Sequence, residues 1–422
     1  MYRPSIALLL VALGVPVHAQ STPTVPPVIS SNVLTQEGAA PLTLARALDL
    51  AMQANPQLAG ARREVDANQG TVQQAGARPN PVLALDMVDT RRDTRETTAQ
   101  LSQTFELGGK RQRRIAAAEL GRDAATMDVL ARAAELRAAV ATAFDDVLAA
   151  QERVQLAQAS LAVANRVTDT VAKRVQAGKV SPVDATRARV AEANVRLDAL
   201  KVDGELATAR HKLASLWGNV MPQFARVDGD LAVLPALPDW GDLVARLGKA
   251  PALARARIEI DRRRALVRLE QSRRTPDVTV AVGMKRSAEL GLNQAVFGVS
   301  LPLPLFDRNQ GNVLEALRRA DQAGDALQAT QLEAHQALAQ AYQELATART
   351  QAQALSTDIL PGAQSAYDAA VKGFDFGKFA YVDVLDAQRT LILAKTHYLA
   401  ALRDARRAAT SLARLAGNLD ND

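Results

Sequence analysis

Asp277-Val278-Thr279-Val280-Ala281-Val282-Gly283-Met284, followed after a short polar stretch by Ala295-Val296-Phe297-Gly298-Val299-Ser300-Leu301-Pro302-Leu303-Pro304-Leu305, decides how this chain is read. Val278, Val280, Val282 and Met284 alternate with Asp277, Thr279, Ala281 and Gly283. Ala295, Phe297, Val299, Leu301, Leu303 and Leu305 alternate with Val296, Gly298, Ser300, Pro302 and Pro304. A period of two with one greasy face and one polar or small face marks strands, here of roughly membrane-spanning length. An earlier pair repeats the pattern. Leu83, Leu85 and Met87 share one face of Val82–Asp89, while Thr98, Gln100, Ser102 and Thr104 form the polar face of Thr98–Phe105. Polar loops, Thr90 to Thr97 and Arg286 to Asn293, join the members of each pair. Four strands cannot enclose a lumen, because the smallest membrane barrels have eight. Open edges in lipid would leave backbone groups unsatisfied. Strands of this kind must therefore share a barrel with other copies, giving eight, twelve or sixteen; the pattern alone does not choose. Two amphipathic hairpins capping a soluble helical protein would show the same alternation.

The rest of the chain reads as helix, and it reads twice. Ala54-Asn55-Pro56-Gln57-Leu58-Ala59 is echoed by Lys249-Ala250-Pro251-Ala252-Leu253-Ala254, and Asn80-Pro81 by Thr275-Pro276 at the same offset of 195. Ala177–Ala185 aligns with Phe376–Val384 at an offset of 199, and Leu213–Asn219 with Leu412–Asn418. Matching features in the same order point to an internal duplication. The expected halves are 42–219 and 241–422, joined by a linker at 220–240. Each begins with a helix of roughly 35 residues (Leu44 to Ala77; Gly241 to Arg274). A strand pair follows (82–105; 277–305), then a long helix (110–177; 310–376, interrupted only by Pro361). A Gly-containing turn leads to a last helix (182–217; 381–416). At 1.5 Å per residue the long helix spans about 100 Å, a coiled-coil length. Its stripes are alanine-rich, with Ala116, Ala117, Ala118, Ala124, Ala125, Ala131, Ala133 and Ala134 close together. Such seams approach closely but bury little apolar area, so a lone chain makes a poor core and needs neighbours.

The N-terminus sets the compartment. Arg3 precedes an apolar run from Ser5 to Val17 that ends at Val17-His18-Ala19, a secretory signal with its cleavage pattern over 1–19. A Ser-, Thr-, Pro- and Val-rich leader covers 20–41. The absence of cysteine removes disulfides, thiolate metal sites and a lipid-bearing N-terminal cysteine together. Four scattered histidines, among them His211, His335 and His397 on helices, do not form a metal cluster or a catalytic base. The net charge of +6 is dispersed as alternating basic and acidic residues on helix faces, and aromatic residues are scarce, which argues against nucleic-acid binding. No phosphate loop or nucleophile triad is present, so enzyme chemistry and cofactors are not expected.

These parts together resemble the TolC-like outer-membrane efflux proteins over about Pro41 to Asn418. Phe105-Glu106-Leu107-Gly108-Gly109-Lys110-Arg111 is similar to the signature of the branch serving heavy-metal pumps, CzcC-like, for cobalt, zinc and cadmium. The resemblance implies a mainly α fold with a small β part. Its long helices would build a coiled-coil tunnel, and its four strands would contribute to a twelve-stranded barrel shared by a homotrimer. It also implies a periplasmic adaptor (membrane fusion) protein and an inner-membrane pump of the resistance–nodulation–division type as partners, and outer-membrane lipid around the barrel of a Gram-negative cell. Phe374–Ala387 looks like the family's periplasmic tip, where acidic residues at the positions of Asp383 and Asp386 line the entrance and would concentrate cations. The alternative is that Asp383 favours a helix N-terminus, as Asp184 would in the first half. At Phe374 and Phe379 the family's best-studied member has a tyrosine and an arginine that latch the tip by polar links, so packing is expected to close it here. Adaptor docking is implied at the turns Gly178-Lys179-Val180-Ser181 and Gly377-Lys378-Phe379-Ala380.

The leading expectation is thus a passive duct for divalent heavy-metal cations. A duct for drugs or for type I protein secretion would share nearly every feature, and a periplasmic coiled-coil scaffold would share the helices.

Overall fold

Proline and its neighbours decide where the first helices begin. In the computed structural model, which describes residues 40–416, Thr43 caps α1 (Leu44–Ala54), and Asn55 accepts from Leu58 N (2.9 Å) to cap α2 (Pro56–Ala75). The signal at 1–19, nearly all of the leader and residues 417–422 lie outside the described residues. The single helix expected over Leu44–Ala77 is therefore two. The same happens in the second half, where α5 (Trp240–Leu247) and α6 (Pro251–Ser272) flank a break at residues 248–250. The residue before a proline is driven to extended ψ, and Asn55 and Ala250 sit at ψ 122° and 141°.

The four strands β1 (Val82–Val88), β2 (Glu96–Phe105), β3 (Val278–Ser287) and β4 (Leu292–Ser300) form one antiparallel sheet in the order β1-β2-β3-β4. Its register aligns the greasy residues. Leu83, Leu101, Val282 and Phe297 lie opposite one another in one row, and Leu85, Ala99, Met284 and Ala295 in the next like-facing row. This face is bare: Leu85 is 71% exposed, Met284 60% and Phe297 80%. The other face carries Thr98, Gln100, Ser102, Thr104, Thr279, Gly283 and Gly298, all partly covered. The strand expected to run to Leu305 stops at Ser300, because Pro302 and Pro304 have no N–H to give a ladder.

All four strand–helix junctions fall at one end of the sheet. From there α3 (Lys110–Gln176) runs for 67 residues, about 100 Å at the helical rise. It packs on α2 and α6 near the sheet, on α1 and α9 at mid-length, and on α4 (Pro182–Ser215) beyond. Its counterpart is segmented: α7 (Gln310–Ala354), a π-helical turn (Leu355–Ile359) and α8 (Leu360–Asp375), followed by α9 (Tyr381–Ala416). In the π turn Leu360 N donates to Leu355 O, five residues back. Pro361 would otherwise drive its ring at the carbonyl four residues earlier; the wider turn accommodates it.

The main core is a waist at mid-length. Leu50, Leu58, Val140, Val147, Leu213, Trp217 and Leu402 are all buried there. The stretch 220–240, expected as a linker, contributes to it. Phe224, Val227 and Leu231 are buried, and Leu42 bridges Val227 in parallel. Gln151 holds both backbone groups of Val227 (2.8 and 3.2 Å). Arg210, Arg349 and Arg406 donate to the carbonyls of Ala225, Pro235 and Asp230. The segment is a packed belt. A second core joins α5, α7 and α9 through Leu243, Leu247, Leu338, Leu345 and Leu412.

Candidate functional site

The corner between β2 and α3 is built around two glycines in the left-handed region, Gly108 (φ 68°) and Gly109 (φ 71°). A Cβ on Gly108 would lie 2.9 Å from Thr275 Cβ and 3.1 Å from Ser272 O, so only glycine fits that approach to the end of α6. Leu107 N and Lys110 Nζ both reach Asp277 Oδ1 (3.0 and 2.7 Å). Arg111 Nε donates to Gly76 O (2.6 Å), and Arg114 to Ala75 O and Ala77 O (3.3 and 3.2 Å). These guanidiniums cap the orphan carbonyls at the end of α2, where the helix dipole favours positive charge. Arg114 also pairs with Glu106, whose hydrogen bond holds the guanidinium pKa above its usual value. At the matching corner of the second half Asn309 takes the left-handed role (φ 58°), and its Nδ2 donates to Glu270 O (2.8 Å). From Phe105 to Arg111 the signature joins the sheet to three helix ends.

At the far end, two helical hairpins lie side by side. Gly178 (φ 67°) and Gly377 (φ 71°) turn them. Lys179 N returns to Arg174 O (2.9 Å), and Lys378 N and Phe379 N to Gly373 O (2.8 and 3.2 Å). Ser181 caps α4 with its hydroxyl on Val183 N (3.3 Å). Ala380, one of the docking candidates, has no hydroxyl, and Asp383 Oδ2 instead reaches back to Ala380 N (2.8 Å). Asp383 therefore does cap its helix, as half of a capping box. Asp386 is exposed and makes no side-chain hydrogen bond or ion pair among the described residues. Lys179, Lys378 and Ala380 are exposed, and Val180 is partly buried.

The two phenylalanines part company. Phe374 is buried against Tyr381 (ring centroids 6.0 Å apart), with Val171, Ala188 and Val384 around them. That burial pushes the Tyr381 hydroxyl up to about 12. Phe379 stays half exposed with its ring over Gly373, where a Cβ would come within 2.1 Å of it. Apolar packing joins the two hairpins, and a polar link is present as well. Arg174, at the end of α3, donates to Phe374 O (2.8 Å) and Asp375 O (3.2 Å) across the two hairpins. Its guanidinium also lies 4.0 Å from the Phe374 ring centre. Nothing in the sequence pattern singles out Arg174, because its partners are backbone carbonyls about 200 residues away.

One buried charge lies at the waist. Asp145 of α3 is 7% exposed and pairs with Arg406 of α9 (3.2 Å). Desolvation outweighs that pairing, and its carboxyl is pushed up to about 6. Among the described residues no group of three or more His, Cys, Asp or Glu is placed to hold a metal ion, and no helix is long and apolar enough to cross a membrane.

A bare apolar face on a four-stranded sheet with two unpaired edges, carried on helices some 100 Å long, is the plan of a channel-tunnel protomer, completed only in company with other copies. The sequence pattern of the outer membrane efflux protein family matches residues 47–219 and 244–418, and the chain belongs to that family. It is 46% identical to the cobalt-zinc-cadmium resistance protein CzcC of Cupriavidus metallidurans, across 91% of this chain and 92% of CzcC. The nickel and cobalt resistance protein CnrC of the same organism is 32% identical across 82% of this chain and 78% of its own length. Among solved structures, a membrane protein from Pseudomonas aeruginosa superposes with a TM-score of 0.78 at 20% identity, covering 89% of this chain and 93% of that one. The expected fold is therefore borne out, as is the placement with heavy-metal resistance relatives.

Proposed function

We propose that this chain is the outer-membrane channel of a three-part efflux system of the resistance–nodulation–division type, conducting divalent heavy-metal cations from pump and adaptor to the exterior. The observation that carries the duct is the sheet, apolar and bare on one side and unpaired at both edges. Unpaired N–H and C=O groups cost several kcal/mol each in hydrocarbon. Closure by further copies satisfies them, and three copies of four strands give an even-numbered antiparallel barrel. The cargo rests on the likeness to CzcC and CnrC. The protein is a passive pipe: energy and most selectivity come from the adaptor and the inner-membrane pump.

The tip is the gated, adaptor-facing end. Asp383 and Asp386 place carboxylates near the entrance, while Phe374 and Arg174 tie the hairpins together and Phe379 covers Gly373. The turns at Gly178–Ser181 and Gly377–Ala380 offer the adaptor short exposed loops. The test has two arms. Detergent-extracted protein is expected to run as a trimer and to conduct ions in planar bilayers. A deletion strain carrying the gene is expected to regain tolerance to zinc, cobalt and cadmium, but not to dyes or antibiotics. A detergent-independent soluble monomer would remove the duct. Restored dye tolerance without metal tolerance would change the cargo.

A further inference from the structure

Membrane barrels ordinarily hold their height with girdles of aromatic residues at both interfaces. This chain has two Trp and five Tyr, and none falls within residues 78–110 or 276–308, which span the sheet and its junctions. Something else must fix the sheet at the inner surface of the membrane. Beyond the last residue of β4 the chain continues as Leu301-Pro302-Leu303-Pro304-Leu305-Phe306, outside any helix or strand and uncovered by the rest of the protein. Leu303 is 72% exposed, Leu305 65% and Phe306 92%. A solvated segment has no reason to be this apolar. It extends the bare face from Phe297 and Val299 at the end where all four junctions gather.

Cations gather at the same end of the sheet. Arg78 lies between α2 and β1, Arg273 and Arg274 between α6 and β3, and Arg308 two residues after Phe306; all four are exposed. Apolar side chains flanked by exposed guanidiniums are the chemistry of a phospholipid interface, with chains below and phosphates above. We propose that Leu301–Phe306 is an interfacial wedge that seats in the inner leaflet of the outer membrane, with Arg78, Arg274 and Arg308 at phosphate level, in place of a girdle of Trp and Tyr. This rests on the barrel reading of the sheet. The prolines suit the role, because an extended segment without their two N–H groups loses less on leaving water.

The test uses the full chain reconstituted in vesicles of phosphatidylethanolamine and phosphatidylglycerol, with some lipids brominated near the headgroup or near the chain end. The native tryptophans, Trp217 at the waist and Trp240 against Tyr342 beside the second core, lie away from the sheet and serve as an unquenched background. Phe306→Trp is expected to add a blue-shifted emission that headgroup-proximal bromine quenches more than deep bromine. Phe297→Trp, in mid-sheet, is expected to show the reverse order. Quenching of Phe297→Trp without quenching of Phe306→Trp overturns the wedge and leaves the barrel standing, whether the Phe306→Trp emission is red-shifted by water or blue-shifted by protein. If neither is quenched, the barrel reading goes and the wedge with it.

Discussion

Replacing Arg174 by alanine should loosen the tip by an amount that can be worked from its contacts. The guanidinium makes two hydrogen bonds to the carbonyls of Phe374 and Asp375 and stacks on the Phe374 ring at 4.0 Å. Its nearest contact with the Asp375 carboxylate is 3.7 Å, and that group is mostly in water, so it adds little. With part of the shell hydrated, each hydrogen bond contributes about 1 kcal/mol and the cation–π contact about 0.5–1 kcal/mol. Phe374 O keeps Gly377 N as a donor (2.9 Å) and Asp375 is exposed, so no large desolvation penalty adds to the loss. Removal should therefore weaken the tie between hairpins by about 2–3 kcal/mol, or roughly 30- to 150-fold in the equilibrium between joined and parted hairpins. Arg174→Lys keeps a cation at the helix end but loses the fork, and should fall between. The assay is single-channel recording in planar bilayers, with trimer content checked on the same sample. Arg174→Ala should raise the open fraction or the conductance of the resting channel, with Arg174→Lys intermediate. An assembled Arg174→Ala trimer that conducts like the wild type would refute the idea that this tie restrains the entrance.

Asp145 gives a pH signature. Its folded pKa of about 6 lies above the ordinary 3.8, so on acidification the native state takes up the proton first. Stability from this group therefore rises as pH falls from 7 towards 4, by up to about 3 kcal/mol. The urea midpoint of the wild type should therefore rise relative to that of Asp145→Asn as pH falls through that window, and a pH-independent difference would remove the buried carboxylate as its source. Gly108→Ala meets Thr275 and Ser272 as well as a left-handed backbone, and should cost about 2–4 kcal/mol, visible as a lowered Tm of the assembled protein. Gly109→Ala has the same φ but open space around it, and should cost only about 1 kcal/mol. Gly373→Ala displaces the Phe379 ring and should speed hydrogen exchange at Lys378 and Phe379, whose amides bond to Gly373 O.

Much of this architecture could be read from the chain because its parts obey simple periods. The strands show themselves by alternation, and the register then places Leu83, Leu101, Val282 and Phe297 in one row as a period of two requires. The same alternation misleads past Ser300, since Leu301, Leu303 and Leu305 keep the rhythm while Pro302 and Pro304 deny the hydrogen bonds. Asn55-Pro56 and Ala250-Pro251 carry repeat-like similarity and are also the breaks in the first helices, a double meaning visible only once ψ is known. The belt at 220–240 has no periodicity to reveal that Phe224 and Val227 are buried. At the tip the acidic residues stand out by type, whereas Arg174 works through main-chain oxygens and leaves no paired residue to notice. The inward turn of Phe374 depends on Tyr381 and the neighbouring hairpin, both supplied by tertiary packing.

The π turn at Leu355–Ile359 has a consequence for the two ends of this long molecule. One additional residue per turn shifts everything after it by about 100° around the axis relative to an uninterrupted α-helix. The rod thus carries two angular settings. Upstream, Leu338 and Leu345 are aimed at the second core with α5 and α9; downstream, Ala370 and Phe374 are aimed at the tip cluster. It acts as a vernier between them, letting each end choose its own facing. Deleting a single residue there, with Pro361 replaced so that a plain helix can form, would swing the entire tip out of alignment, although no contact in the tip itself had been touched.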